Sequence, residues 1–182
     1  MRKVIGDVIP NTEWTNIHEG SVFVPQQDTF IHLQFRRFAG CPVCNLHLQS
    51  FFKRAEELKA NNIHEVVVFH ASQKAMLDSV VDVPFDLIAD PSRKLYKAFG
   101  VDTSWKALLN FGVMQKAFKG IIAFGMRIPQ SVEAELGVPA DFLINQTGMI
   151  VAVKYGAHAD DQWSVNEVIE LAKYQQSEPK LL

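Results

Sequence analysis

The two cysteines of this chain, Cys41 and Cys44, lie close together at a point where the sequence pattern changes. Before them, residues 29–38 (TFIHLQFRRF) alternate between apolar and polar side chains, which favours a β-strand. After them, residues 45–62 carry an apolar stripe at helical spacing, formed by Leu48, Phe51, Phe52, Ala55 and Leu58. The segment Cys-Pro-Val-Cys is therefore predicted to join a strand to a helix.

Strands and helices alternate along most of the chain. Residues 64–72 (HEVVVFHAS) have a continuous β-branched core, which is typical of a buried parallel strand. The segments VPADFLIN and MIVAVKYG flank a turn at residues 146–148 and predict an antiparallel hairpin. Residues 104–137 are interpreted as an insertion of one or two helices, and residues 4–14 as an N-terminal extension. The remaining predicted elements are strands at 21–26 and 84–90 and helices at 73–82, 90–101 and 160–174.

This order predicts a single α/β domain over residues 1–182, with a central mixed β-sheet and helices on both faces. The chain is 48% hydrophobic, so it can bury a core without disulfide bonds. Its net charge of −2 is spread along the sequence, which predicts neither a nucleic-acid partner nor a membrane partner. The first 14 residues are too polar for a signal peptide, so a cytoplasmic location is expected. Thiols are kept reduced there, and a close cysteine pair then indicates redox or metal chemistry.

The start of the predicted helix favours an ionised thiol. Proline is common at the first helical position, so Pro42 makes Cys41 the N-cap and Cys44 the third helical residue. The unpaired N–H groups and the positive dipole end of the helix stabilise a thiolate. Arg36 and Arg37 add positive charge nearby, although the strand alternation sends them to opposite faces. A thiol pKa lowered by about 2 units corresponds to roughly 2.7 kcal/mol in favour of the thiolate.

The two thiols are expected to play different parts. Cys44 falls within the apolar stripe and is expected to be buried, whereas Cys41 lies at the exposed cap. Cys41 would then attack an external disulfide, and Cys44 would resolve the mixed disulfide. His47 follows Cys44 by one turn and is a candidate proton shuttle, with a plain surface histidine as the alternative.

Two further interpretations of the cysteines stay open. They are either small buried residues at a helix start or part of a zinc site, which would need two more ligands. The chain has no other cysteine, and His64 and His70 bracket a strand at a spacing that fits no helical zinc motif. His32 and His70 are interpreted as structural residues. The sequence therefore predicts no metal and no cofactor.

Four segments of the chain share a family resemblance: Gly6-Asp7-x-x-Pro10, LQFRRFAGCPVCNLHLQSF, FDLIADPSRKLYKAFGV and PADFLINQTGMIV. Together they resemble the thioredoxin-like superfamily, and within it the peroxiredoxin-like alkyl hydroperoxide reductase and thiol-specific antioxidant (AhpC/TSA) proteins. The resemblance implies a thioredoxin-like fold and an antioxidant oxidoreductase. It also implies a cis-proline role for Pro139, with the backbone of Val138 pairing with a bound partner chain.

The resemblance leaves the reaction open. Peroxiredoxins carry the motif P-x-x-x-T-x-x-C, and alignment puts its cysteine at Cys44, its threonine at Cys41 and its proline at Arg37. The family's arginine position falls on Val138–Pro139. These departures favour thiol–disulfide exchange over a peroxidase in which Cys44 attacks a hydroperoxide and Cys41 resolves it. A non-enzymatic binding module on the same fold is the third hypothesis.

Expected partners follow from the two redox hypotheses. The substrate would be a protein disulfide or a hydroperoxide. The reductant would be a thiol system such as thioredoxin or glutathione. A homodimer is left open.

Overall fold

The computed structural model describes residues 1–36, 42–78, 83–101, 138–158 and 160–177, and the side chains of residues 42–45 are excluded from that description. The predicted insertion at 104–137 lies outside the described residues. Within them, every helix is too short or too polar to cross a membrane. In chain order the described elements are β1 (Thr12–Thr15), β2 (Ser21–Val24), β3 (Phe30–Arg36), α1 (Pro42–Lys53), α2 (Ala55–Ala60), β4 (Ile63–Phe69), α3 (Gln73–Leu77), β5 (Asp86–Ala89), α4 (Lys94–Phe99), β6 (Ala140–Ile144), β7 (Ile150–Tyr155) and α5 (Val165–Ser177).

A five-stranded mixed sheet organises the chain, with the strand order β5-β4-β3-β6-β7. The strands β3, β4 and β5 are parallel to one another, and β6 and β7 run antiparallel. The predicted parallel strand and the predicted hairpin are both confirmed. Strand β3 lies in the centre, where its C-terminal end meets the N-terminal end of β6. The strands β1 and β2 form a separate antiparallel pair.

Both faces of the sheet are covered. On one face Leu33 and Phe35 of β3 pack with Tyr96 and Phe99 of α4. On the other face Phe51 of α1 packs in a cluster with buried residues of the last helix, namely Val165, Val168, Ile169 and Ala172. The predicted arrangement of helices on both faces is confirmed, and the strand alternation of β3 decides which side chains meet which helices.

The helix ends at Gly100 and Ser164 form as their sequences predict, whereas α4 begins at Lys94, later than the predicted start at residue 90. The Asp90 carboxylate accepts hydrogen bonds from the backbone N–H groups of Lys94 and Leu95, both at 2.8 Å, so it caps α4 from outside the helix. Gly100 closes the same helix in the left-handed conformation, with φ of 66°. At the start of α5, Ser164 and Glu167 bond reciprocally to each other's backbone N–H groups, which is the predicted capping box.

The predicted helix that follows the cysteines is confirmed at its start but is divided in two in the structure. It begins at Pro42, as proline at the first helical position requires, and divides into α1 and α2 at Arg54. The Arg54 side chain bonds Glu57 on α2 and Asn166 on α5, so the break is tied to the last helix. Phe52 was expected in the apolar stripe, yet it is 46% exposed, because the covering elements contact the neighbouring Phe51 instead.

We expect Gly100→Ala to destabilise the fold by more than about 2 kcal/mol. A left-handed alanine costs roughly 1–2 kcal/mol, and a Cβ at Gly100 would lie 2.5 Å from the Arg2 Cα. Gly6→Ala is the matched control, because Gly6 also has positive φ but a Cβ there meets nothing within 4 Å. Urea unfolding measures both changes. Equal losses for the two variants would contradict a tight packing of the N-terminal segment on α4.

Candidate active site

The cysteine-bearing helix starts at the C-terminal edge of the parallel strands. Strand β3 ends at Arg36, and α1 begins at Pro42 with Cys44 as its third residue. In the pairing of β3 with β6, Phe35 lies opposite Ala140, so Pro139 is brought to the same edge of the sheet. Sequence alone predicted this strand-to-helix junction, and the structure adds the β6 start beside it.

A ring of polar side chains lies beneath α1 on the face of the sheet that this helix covers. His32 Nδ1 lies 2.8 Å from Glu65 Oε2, and Gln34 Nε2 donates to the same carboxylate. Arg36 Nη2 donates to Gln34 Oε1 and, at 2.6 Å, to Asp141 Oδ1. An ion-pair contact of 3.3 Å between His32 Nε2 and Asp141 Oδ1 closes the ring. We call these five residues the buried ring.

The buried ring carries balanced charge. Burial alone lowers the pKa of His32, but the carboxylates of Glu65 and Asp141 outweigh it and raise that pKa to about 9. Burial alone raises the pKa of Asp141, whereas Arg36 and His32 hold that pKa well below its usual range. At neutral pH two cations therefore face two carboxylates, which is the condition under which buried charges are tolerated.

Arg36 connects the buried ring to α1. Its side chain is fully buried, and its Nη2 lies 3.4 Å from Nε2 of the half-buried His47. The His47 ring packs on Phe51 with a centroid distance of 4.9 Å. Phe51 in turn stacks on His32, which also contacts Trp163. The helix, the ring and the aromatic side chains therefore form one packed unit.

Tyr96 fixes the strand ends at this edge. Its hydroxyl group contacts the backbone carbonyl of Arg36 and lies 3.2 Å from that of Val68. The hydroxyl thus links the last residue of β3 to β4. Arg36 is therefore positioned through both its side chain and its backbone.

The structure brings part of the predicted residue set together. Arg36 and His47 are in contact, and Val138 and Pro139 are buried at the start of β6. Pro42 and Cys44 are placed by their backbones in the first turn of α1. Arg37 and Cys41 lie outside the described residues, so their predicted roles stay predictions.

The expected cis bond before Pro139 is wrong. Within the described residues the cis peptide bond precedes Pro25, and the Val138–Pro139 bond is trans. The Pro139 carbonyl oxygen accepts a hydrogen bond from Gly156 N–H at 2.9 Å, so this end of β6 pairs with the chain segment that follows β7. That pairing holds the Pro139 carbonyl within the fold.

Sequence reasoning missed most of the buried ring. His32 was expected to be structural, and Gln34, Glu65 and Asp141 were not singled out. The available signal was a polar residue at alternate positions of β3, on the side that also holds Phe30. A polar side chain on a covered face requires partners, but the partner strands follow only from the strand order.

Two other polar features lie away from this edge. His64 Nε2 lies 2.8 Å from Asp86 Oδ2 at the beginning of β4 and β5. A cleft of about 530 Å³ between α2 and β4 is bordered by Lys59 and Glu65. Both lie toward the N-terminal ends of the parallel strands, opposite the helix start that carries Cys44. Among the described residues, no cluster of three or more His, Cys, Asp or Glu side chains is arranged to hold a metal ion.

The fold is the thioredoxin-like fold of solved peroxiredoxin structures. AhpC of Mycobacterium tuberculosis aligns over 100% of this chain and 97% of its own, with 17% identity and a TM-score of 0.66. The peroxidoxin BcpB of the same organism aligns over 93% and 96%, with 15% identity and a TM-score of 0.66. A yeast mitochondrial 1-Cys peroxiredoxin aligns over 96% and 76%, with 14% identity and a TM-score of 0.69. These identities show the shared fold.

Family membership rests on the sequence. The model of the AhpC/TSA family matches residues 5–153, so the chain belongs to the AhpC/TSA family of antioxidant oxidoreductases. No curated protein sequence is significantly similar to it. The resemblance inferred from the four sequence segments is confirmed.

The buried ring predicts a loss of stability at alkaline pH. The folded-state pKa of His32, about 9, exceeds its ordinary value of 6.5, so the folded state binds the proton more tightly. Its stabilising contribution is therefore complete below about pH 6.5 and is lost as the pH rises through about 9. In a Cys41→Ser/Cys44→Ser background, which removes thiol titration, the unfolding free energy should fall by up to about 1.4 kcal/mol per pH unit.

The control variants identify the group responsible. His32→Gln should remove the alkaline slope, while His64→Asn should keep it, because the His64–Asp86 pair is partly exposed. Denaturant unfolding at pH 6 to 10 measures all three proteins. A flat profile in the parent protein would contradict a protonated His32 in the buried ring.

Proposed function

We propose that this chain is a thiol peroxidase in which Cys44 attacks a hydroperoxide and Cys41 resolves the product. The observation that carries the proposal is the AhpC/TSA match together with the position of Cys44 in the first turn of α1, above the buried ring. The first turn of this helix has no acidic residue, so no neighbouring carboxylate offsets the dipole there. A thiolate at Cys44 is thereby favoured.

The reaction balances with a thiol reductant. The Cys44 thiolate attacks the terminal oxygen of the hydroperoxide, and the O–O bond breaks to give Cys44 sulfenic acid and, after protonation from solvent, an alcohol or water. The Cys41 thiol then displaces water from the sulfenic acid and forms a Cys41–Cys44 disulfide. An external dithiol, or two monothiols, restores both cysteines by exchange.

The choice of reductant is supported by comparison. The yeast mitochondrial 1-Cys peroxiredoxin is described as having its thiol resolved via glutathione and thioredoxin systems. A reductant of that class is part of the proposal for this chain. A cytoplasmic location is proposed with it, because such thiol systems keep that compartment reducing.

Thiol–disulfide exchange with Cys41 as nucleophile is the second candidate. The Cys-Pro-Val-Cys spacing at a helix start favours it. The trans bond before Pro139 weighs against it, since the cis-proline was the second feature that pointed to exchange. The arginine expected before β6 is absent, but the Arg36 guanidinium lies on the neighbouring strand at the same edge.

Single cysteine variants separate these candidates. Cys44→Ser should abolish peroxide consumption, because the attacking sulfur is lost. Cys41→Ser should still consume one equivalent of peroxide per chain and accumulate a sulfenic acid on Cys44. Stopped-flow peroxide consumption and mass spectrometry after dimedone trapping measure both results.

A disulfide-reduction assay can give the result that would contradict the peroxidase mechanism. If Cys41→Ser consumes no peroxide and also abolishes insulin reduction that the parent protein catalyses, the exchange mechanism replaces the peroxidase. The Cys41→Ser/Cys44→Ser protein is the control for background reaction in both assays.

A further inference from the structure

Arg36 is held in one orientation by its partners. Its Nη2 donates to Gln34 and Asp141, and its Nη1 donates to the backbone carbonyl of Phe35 at 3.2 Å. The side chain is fully buried, and Asp141 is fully buried with it. A guanidinium has only donors and stays charged at any accessible pH. The side of His47 that faces Arg36 therefore meets a fixed cation.

The contact between Arg36 and His47 determines which imidazole nitrogen carries the proton. The two hydrogens of Arg36 Nη2 are directed at Gln34 and Asp141, and His47 Nε2 lies 3.4 Å from the same nitrogen. Facing this cation, Nε2 is favoured with its lone pair rather than an N–H group toward Arg36. An imidazolium would place an N–H group against the guanidinium N–H groups. The rest of the buried ring lies on the other side of Arg36. Its two carboxylates, Asp141 and Glu65, balance the two cations, Arg36 and His32. This arrangement favours the tautomer of His47 that carries its proton on Nδ1.

The direction of the His47 side chain follows from the helix. Side chains of a helix lean toward its N-terminus and lie over the preceding turn. Three residues before His47 that turn contains Cys44. The Phe51 ring, 4.9 Å from the His47 ring by centroids, supports the imidazole on the C-terminal side. An N–H donor is thereby presented to the first turn of α1.

We propose that Arg36 is a positioning residue that holds His47 as a neutral, fixed hydrogen-bond donor for the anionic sulfur of Cys44, as thiolate and as sulfenate. This inference rests on the proposed thiol chemistry. It assigns His47 a role different from a proton shuttle. Nε2 faces the Arg36 cation, which opposes its protonation, and loss of the Nδ1 proton would leave an imidazolate. No proton passes through His47 in the reaction.

Three substitutions of His47 test the donor role. An asparagine side-chain amide puts an N–H near the position of Nδ1 but does not titrate, so His47→Asn should keep the rate of Cys44 oxidation within about threefold. His47→Leu removes the donor and should slow the oxidation by about ten- to a hundredfold, the usual effect of a hydrogen bond to a charged group. His47→Gln is the matched control, since its amide reaches the Nε2 position and should resemble leucine. Equal losses in all three variants would overturn the donor assignment.

The tautomer is measured directly in the unsubstituted protein. Imidazole ¹⁵N NMR of the reduced chain should show the Nδ1–H form of His47 from pH 6 to 8. Arg36→Lys keeps a charge but loses the forked geometry, and it should allow the Nε2–H form or the imidazolium to appear. An imidazolium or Nε2–H form in the unsubstituted protein would overturn the proposal.

The two proposals fail in different ways. If Cys44→Ser keeps peroxide consumption, the thiol peroxidase is wrong, whatever the tautomer of His47. If Cys44→Ser abolishes it and His47→Leu oxidises as fast as the unsubstituted protein, only the positioning role is wrong.

Discussion

The ion pair between Arg36 and Asp141 is the interaction on which this structure depends most. Two opposite charges at 2.6 Å with no exposed surface need hydrogen-bonding neighbours, and Gln34 and the Phe35 carbonyl supply them to Arg36. The buried ring links β3 to both of its neighbours, because Glu65 comes from β4 and Asp141 from β6. It also requires α1 and α5 to seal the face above, which they do through Phe51 and the residues around Trp163.

The same ion pair connects the fold to its chemistry. A helix N-terminus favours an anionic sulfur, but it does not by itself determine which groups surround that sulfur. Here the charge-balanced buried ring lies under the helix and contacts α1 through Arg36 with His47 and through His32 with Phe51. The buried ring draws its residues from three strands and is shielded from water. Its polar groups therefore need little reorganisation when negative charge develops at the start of α1. The AhpC/TSA family relation supplies the class of reaction, and the buried ring supplies the surroundings of the helix that carries Cys44.

Much of this fold could be predicted from sequence, because its signals are local. The β-branched run of β4, the turn at Gly148, the Ser164–Glu167 capping box and the Gly100 helix end all formed as expected. The buried ring could not be predicted in the same way. Glu65 and Asp141 are far from His32 along the chain, and only the strand register brings them together. The exposure of Phe52 also follows from tertiary contacts rather than from local pattern, and the trans bond before Pro139 departs from what the family resemblance implied.

A double-variant cycle tests the central claim, that the buried ring acts on the cysteine through Arg36 and His47. The rate of thiol oxidation by peroxide is measured for the parent protein, Arg36→Lys, His47→Leu and the double variant, each checked for folding. If Arg36 acts by positioning His47, the double variant should be no slower than the slower single variant, because the second change removes an interaction already lost. Rate losses that multiply in the double variant would show that the two residues act independently and would contradict the account.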